Sequence, residues 1–294
     1  MQTVLQRWIQ LFIVVVAIGC SISARADYQF RVFDYPGAVA TQLWGINNSG
    51  QVVGNAFFAD DSLVSFVYDS RKGGITDLSN VPDNSNFIGI NESGTMVGAV
   101  SDAAVTYEHG VILDKKGNAT TFVHPAPLTN TVARAVGPSG LVTGYAYDDV
   151  DSTGFIYDPK SNTFIDFLPS ALTIAQGING RGDVVGGIVT APFDRLGFLR
   201  DSSGNISLFK VDGHRTRARG INDSGQIVGF MDTSSGVQGF VGTLSGGFTP
   251  VNVPGATDTL PQGIANSGAI VGQYFDADGN THGFIATPLP PKGK

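Results

Sequence analysis

The chain has only one cysteine in 294 residues, and that residue, Cys20, lies close to its start. The rest of the sequence can therefore form neither a disulfide nor a thiolate nucleophile. Only 15% of the residues are charged, and 25 acidic residues outnumber 18 Lys and Arg, so a nucleic-acid partner is not expected. No apolar run approaches the roughly 20 residues of a transmembrane helix. We therefore expect no transmembrane segment.

Residues 1–26 have the pattern of a secretory signal peptide. Arg7 gives a basic start, residues 11–19 are apolar, and Ala24 and Ala26 precede Asp27. We predict cleavage after Ala26 and a secreted or periplasmic protein with 16 basic and 25 acidic residues, a net charge of −9. The alternative is a lipoprotein box at residues 17–20, in which an acylated Cys20 would anchor the protein to a membrane.

What the sequence does contain is an internal repeat. The motif GINNSGQVVG is followed by five related copies at intervals of 42 to 46 residues. The six copies begin at Gly45, Gly89, Ala135, Gly177, Gly220 and Gly263. Each repeat contains four short extended stretches, here named strands a to d, and no helical periodicity. The Asn-x-Ser-Gly step between a and b is typical of a tight hairpin, whose Asn and Gly tolerate a left-handed backbone.

This period and strand number predict an all-β fold, a six-bladed β-propeller over residues 27–287. Strand b has neighbouring apolar residues, such as Val184 and Val185, so both of its faces must be buried. We expect the glycine that ends each motif to accommodate an aromatic ring of the adjacent blade, at Gly54, Gly98, Gly144, Gly186, Gly229 and Gly272.

The two ends of the chain predict how the ring closes. Residues 30–41 match residues 248–259, which form a strand d and the link to the next strand a. The chain thus starts with an extra strand d and ends without one, so residues 28–35 should complete the last blade and remove its open edge. Residues 288–294 are predicted to be a flexible, Pro-rich tail outside the sheet.

The repeats resemble the HAF-repeat family of bacterial extracellular proteins, named for a His-Ala-Phe or His-Gly-Phe signature beside G-I-N-x-x-G-x-V-V-G. His282-Gly283-Phe284 carries the signature here, as does His109-Gly110 in part. The resemblance covers nearly the whole mature chain. It implies secretion and a propeller, and it brings no particular activity and no site residues.

Candidate ligand-binding residues come from the position before each Gly-Ile step, which varies while its neighbours repeat. If strand a is innermost, these side chains lie near the mouth of the central channel and would suit a sugar or an anion. A basic run at residues 214–219 could clamp a carboxylate or phosphate. The candidates are Trp44, Arg134, Gln176, Arg217, Arg219 and Gln262. The alternatives are ordinary polar packing and a solvated loop paired with Asp194 or Asp212.

The loops between strands b and c are acidic and should lie on one rim together with the links from d to a. Calcium prefers such oxygen ligands. The candidate metal ligands are Asp276, Asp278 and Asn280 in one loop and Asp148, Asp149 and Asp151 in another. Alternatively, Asp and Gly occur there as turn residues. No cofactor other than calcium is indicated.

Three functions remain open from the sequence. The first is a secreted, non-enzymatic binding or scaffold module, a monomer whose partner is an extracellular glycan, surface polymer or protein. The second is a hydrolase or lyase acting on a polysaccharide with carboxylates at the channel mouth. The third is a calcium-stabilised structural protein. No serine lies in a nucleophile-elbow motif, which disfavours one class of hydrolase.

Overall fold

The computed structural model describes residues 28–78, 81–82, 84–101, 107–125, 127–167, 172–190 and 194–290. The predicted signal peptide with Cys20 lies outside the described residues, as do residues 291–294 of the predicted tail. Within the described ranges no helix is long and apolar enough to cross a membrane.

The described residues form 24 strands in six antiparallel four-stranded sheets, which confirms the six-bladed propeller. The first strand is β1 (Tyr28–Phe33). Blade 1 contains β2 (Ala40–Ile46), β3 (Gln51–Phe57), β4 (Leu63–Asp69) and β5 (Ile75–Asp77). Blade 2 contains β6 (Ser85–Ile90), β7 (Met96–Ser101), β8 (Glu108–Leu113) and β9 (Ala119–Phe122). Blade 3 contains β10 (Asn130–Val136), β11 (Val142–Tyr147), β12 (Ser152–Asp158) and β13 (Thr163–Phe167).

The remaining blades repeat this a-to-d order. Blade 4 contains β14 (Leu172–Ile178), β15 (Val184–Thr190), β16 (Asp194–Arg200) and β17 (Ile206–Phe209). Blade 5 contains β18 (Arg215–Ile221), β19 (Ile227–Thr233), β20 (Gly236–Thr243) and β21 (Gly247–Pro250). Blade 6 contains β22 (Asp258–Ile264), β23 (Ile270–Phe275) and β24 (Thr281–Pro288). Strands a of all six blades line the central channel, as expected if strand a is innermost.

The N-terminal strand closes the ring, as the sequence predicts. Strand β1 pairs antiparallel with β24, from Tyr28 opposite Pro288 to Phe33 opposite Gly283. The prediction that the tail begins at Pro288 is wrong by one residue, because Pro288 still belongs to β24. It is tolerated there because β23 pairs with β24 only as far as Ala286, so Pro288 has a neighbouring strand on one side alone.

The repeated glycine of strand b makes room within its own blade. Gly54 lies opposite Phe66 of strand c, and a Cβ on Gly54 would come within 2.6 Å of the Phe66 ring. The prediction that an aromatic of the adjacent blade fills this space is therefore wrong. The ring belongs to the next strand of the same sheet, where five blades have Phe and blade 2 has Val111.

The core lies between neighbouring blades, so strand b is buried on both faces as predicted. Val184 and Val185 are both fully buried. Between blades 6 and 1, Val271 and Ile285 pack against Leu43 and Phe66. Burial on two faces explains why strand b is continuously apolar instead of alternating.

The turns between strands a and b join the blades to each other. The turn glycine has a left-handed backbone, as at Gly225 with φ +80°. The turn asparagine acts through its side chain instead, since Asn222 Oδ1 accepts from the backbone N–H groups of Ser224 and Gln226. Asn222 Nδ2 donates to the carbonyl of Ala265 in the next blade, at 3.2 Å. The same contact recurs at Asn47, Asn91 and Asn179.

Candidate functional site

A β-bulge interrupts strand a at the same repeat position in every blade. The register shift always falls on the residue before the Gly-Ile or equivalent step. The extra residue of a bulge is unpaired and its side chain can point in a direction that regular pleating does not allow. The six bulged residues are Trp44, Ile88, Arg134, Gln176, Arg219 and Gln262. All six line the central channel and are here called the channel ring.

Side chains of the channel ring contact one another across the channel. The Arg134 guanidinium lies over the Trp44 ring, 5.0 Å from its centroid. Arg134 Nε also donates to Gln176 Oε1 at 2.7 Å. Only about 80 Å³ of free space remains within the ring, so the channel is narrow at this level.

A second cavity of about 210 Å³ adjoins the channel ring between blades 3, 4 and 5. It shares Arg134, Gln176 and Arg219 with the ring. Arg195 and Arg217 also line it, so four guanidinium groups border one small space. We call this cavity the arginine pocket. Among the described residues that line the ring and the pocket there is no Asp or Glu.

Arg217 has a carboxylate partner outside the pocket. Its Nη1 lies 2.6 Å from Asp232 Oδ1, and Arg215 Nε is 3.7 Å from the same carboxylate. The partners expected for this basic run were Asp194 and Asp212. Asp194 pairs most closely with Lys210, at 2.8 Å, and the hydrogen bond from Lys210, together with the charges of Lys210 and Arg215, lowers the pKa of Asp194. Asp232 is the closest carboxylate to the run because it lies opposite Arg215 in the β18–β19 ladder.

Arg219 has no such partner. None of the ion pairs found in the described part of the chain includes it, and its Nε is buried without a hydrogen-bond partner. Its guanidinium lies over the Phe230 ring, 4.9 Å from the centroid. Burial, and then the charges of Arg134 and Arg217, lower the pKa of Arg219 to about 9. The group is still cationic at neutral pH, in a site that disfavours its charge.

The structure brings five of the predicted ligand-binding residues into one ring, and it places Arg217 in the adjoining pocket. Sequence reasoning missed Arg195 and Tyr145, which line the same pocket. Tyr145 follows the repeated glycine of strand b, another position that varies from blade to blade, and this variation was the available signal. Two further buried oxygens also lack a hydrogen-bond partner among the described residues, Oε1 of the ring residue Gln262 and Oε1 of Gln273 in strand b of blade 6.

In the first candidate calcium loop, the Asp276 carboxylate accepts hydrogen bonds from other residues of the same turn. Asp276 Oδ1 accepts from the N–H groups of Asp278 and Asn280, and its Oδ2 accepts from Asn280 Nδ2. The turn at Asp114, which was not a candidate, has the same hydrogen bonds to its residue Asn118. The Asp276 loop thus matches an ordinary turn, and the calcium hypothesis stays a prediction.

The other candidate loop is similar. Asp148 Oδ1 accepts from the backbone N–H groups of Val150 and Asp151, while Asp149 and Asp151 are exposed. Within the described ranges no group of three or more His, Cys, Asp or Glu residues has an arrangement that could hold a metal ion.

A larger cavity of about 360 Å³ lies between blades 6 and 1. Its two arginines already have backbone partners. Arg31 Nη2 donates to the Ser70 carbonyl at 3.1 Å, and Arg71 Nη2 donates to the Asn48 carbonyl at 2.5 Å. This cavity is larger than the arginine pocket. Because both of its arginines already donate hydrogen bonds to backbone carbonyls, it is a weaker candidate for anion binding.

Comparison with known proteins identifies the fold and no family. No family model and no curated protein matches the chain. Among solved structures, a gluconolactonase from Xanthomonas campestris is 13% identical with a TM-score of 0.57, covering 91% of this chain and 92% of its own. Virginiamycin B lyase from Staphylococcus aureus is 15% identical with a TM-score of 0.52, covering 90% of each chain.

The propeller domain of a protease from Pyrococcus furiosus is similar to the same degree. It is 10% identical with a TM-score of 0.53, and the match covers 87% of this chain and 99% of that domain. Lactonase, lyase and protease share this architecture, so the fold by itself selects no activity.

Proposed function

We propose that this protein is a secreted ligand-binding β-propeller whose arginine pocket binds an anionic ligand. The observation that carries the proposal is Arg219, a cationic side chain whose buried Nε has no hydrogen-bond partner in the described part of the chain. A buried charge is costly unless an opposite charge or hydrogen bonds compensate it. A carboxylate or phosphate can accept two parallel N–H bonds from a guanidinium and would supply both.

The neighbouring charges support the same conclusion. Arg134 and Arg195 also line the pocket, and burial lowers the pKa of each. Among the described residues, Arg217 is the only pocket arginine that forms an ion pair with a carboxylate, that of Asp232, whose charge also acts on Arg195. The pocket is thus a concentrated positive site in an acidic protein, which favours anions over neutral sugars.

This arrangement favours binding over polysaccharide cleavage. A hydrolase or lyase of the expected kind needs a pair of carboxylates, one as acid and one as base or nucleophile. The described lining of the ring and pocket contains no carboxylate. Two carboxylates, Glu92 and Asp223, line the adjoining cavity at the end of the channel with the a–b turns, where they already accept hydrogen bonds from Asn48, Gly180 and Asn266. The predicted signal peptide at residues 1–26 supports an extracellular or periplasmic setting, in which the protein would capture such a ligand as a monomer.

The test is anion binding by the purified protein and by Arg219→Gln. We expect citrate or inorganic phosphate to raise the melting temperature of the wild type in a saturable manner, and the shift to disappear in the variant. Without ligand, Arg219→Gln should melt at the same or a higher temperature, since the substitution removes a partly buried charge that forms no ion pair among the described residues.

Arg71→Gln is the matched control, because Arg71 lies in the cavity between blades 6 and 1. It should retain the full anion-induced shift. The proposal fails if no anion, inorganic or organic, shifts the wild type, or if Arg219→Gln and the wild type respond equally.

A further inference from the structure

The arginine pocket owes its space to one residue of blade 4. The position after the repeated glycine of strand b is occupied by Asn55, Ala99, Tyr145, Gly187, Phe230 and Gln273 in the six blades. Blade 4 alone has no side chain there. A Cβ on Gly187 would meet only the Leu196 carbonyl oxygen, at 3.9 Å, so neither crowding nor a left-handed backbone requires this glycine.

The walls beside Gly187 are apolar. Ile174, Ile188 and Val189 line the pocket together with Ala218. The pocket therefore combines guanidinium groups with hydrocarbon in one lining. A fully hydrated inorganic anion would leave the hydrocarbon part of that lining without a partner.

The size of the pocket restricts the ligand further. A volume of about 210 Å³ equals that of about seven water molecules in the liquid. It is below the roughly 300 Å³ at which sites for drug-sized ligands begin. The pocket is suited to a compact molecule, or to the end group of a longer one.

We infer that the ligand is a small organic anion, with a carboxylate or phosphate head on Arg219 and a compact apolar body in the space beside Gly187. The inference rests on the proposed function, because it takes the arginine pocket as the binding site. It adds that the affinity comes from two separable parts, the head contacting guanidinium groups and the body contacting Ile174, Ile188 and Val189.

The experiment compares probes that share a head but differ in body. Acetate and benzoate are titrated against the wild type, as are inorganic phosphate and phenyl phosphate, with calorimetry or ligand-observed NMR as the readout. We expect each phenyl-bearing probe to bind about tenfold more tightly than its small counterpart, or better. Whichever pair binds more tightly identifies the preferred head group.

Gly187→Leu tests the apolar part, because its side chain would fill the space beside the arginines. We expect benzoate and phenyl phosphate to lose that advantage, while acetate and inorganic phosphate bind as in the wild type. In Gly187→Ala the phenyl-bearing probes should lose part of their tighter binding. This variant takes the place of Gly187→Leu if the leucine variant does not fold. The control is Gly74→Leu, at a glycine with no heavy atom within 4 Å of an added Cβ.

The outcomes separate this inference from the proposed function. Equal binding of small and phenyl-bearing probes by the wild type would overturn the inference and leave anion binding in place. An undiminished phenyl advantage in both Gly187 variants would overturn it as well. Failure of every probe to bind the wild type would remove the proposed function, and the inference with it.

Discussion

Glycine has two different roles in this chain at the level of single residues. Turn glycines such as Gly225 need a left-handed backbone, with φ +80°. Strand glycines such as Gly54 are needed because a ring lies against the backbone. Gly187 belongs to neither class, and it is the one that borders the arginine pocket.

The first prediction concerns Gly54→Ala. The added methyl group would come within 2.6 Å of Phe66 Cζ and 2.7 Å of the Gln42 carbonyl oxygen, so the sheet or the ring must shift. We expect the free energy of unfolding to fall by about 1–3 kcal/mol, measured by urea denaturation. Gly74→Ala, in open space, should change it by about 0.5 kcal/mol or less. Equal midpoints for the two variants would contradict the steric explanation.

At the level of elements, the seam between β1 and β24 carries a charged contact. His282 Nδ1 lies 2.9 Å from Asp34 Oδ1, just after β1, and Nε2 lies 3.2 Å from Asp276 Oδ2. Burial disfavours the imidazolium, but hydrogen bonds to Asp34 and Asp276 outweigh it and raise the pKa of His282. Hydrogen bonds from Asn280 and His282 lower the pKa of Asp276. The His of the repeat signature thus links the N-terminal segment to blade 6.

The second prediction is a pH-dependent contribution of this contact to stability. Because the pKa of His282 is higher in the folded protein than in the unfolded chain, where it is 6.5, the contact contributes its full stabilisation below pH 6.5. This contribution is lost as the pH rises through the pKa of the folded state. The pKa of Asp276 is lower in the folded protein than the unfolded value of 3.8, so its contribution to stability is present above pH 3.8 and is lost as the pH falls through the folded pKa. The melting-temperature difference between wild type and His282→Gln should therefore be largest from about pH 4 to 6.5 and should decline at higher pH.

The control for this comparison is His109→Gln, at the equivalent position of blade 2 and away from the seam. It loses an imidazole without breaking a link between chain ends. A difference for His282→Gln that stays constant from pH 4 to pH 9 would show that the contact is not the source.

At the level of the whole molecule, the ring is closed by pairing the two ends of the described chain. Tyr28 lies opposite Pro288, and β1 covers the edge that β24 would otherwise expose. An unpaired strand edge invites aggregation. The closed ring therefore depends on six residues that precede the first full repeat.

The third prediction compares two changes at these ends. Deletion of residues 28–33 should lower the melting temperature and promote aggregation, because β24 then has an open edge. A circular permutant should keep the melting temperature and solubility of the wild type. In this permutant Pro290 is joined to Tyr28 by a short flexible linker, and new chain ends are opened in the exposed turn at Lys116, so the same kind of strand pairing closes blade 2. Light scattering and thermal melts distinguish the deletion variant from the permutant. A permutant as aggregation-prone as the deletion would refute this account of closure.

Much of the fold could be predicted because it repeats. A period of 42 to 46 residues with four extended stretches fixes the strand number, and the match between residues 30–41 and 248–259 identifies the closing strand. The channel residues were recognised by their variation within a regular motif. Tyr145 and Gly187 share a position of strand b whose variation the sequence does show, but that variation does not reveal which residues lie beside it. Arg195 was missed because it meets the other arginines only through contacts between blades, which no local pattern records.

The sequence by itself determined the number of blades, the strand order and the pairing of the ends, since periodicity and turn residues are local properties that each repeat states again. Only the tertiary structure decided that Phe66 covers Gly54 within one sheet, that Asp232 and not Asp194 pairs with Arg217, and that Arg219 Nε has no hydrogen-bond partner among the described residues. Those facts depend on which side chains meet across strands and blades. Cross-strand register and the bulge in strand a decide this, and neither can be read from the local sequence pattern.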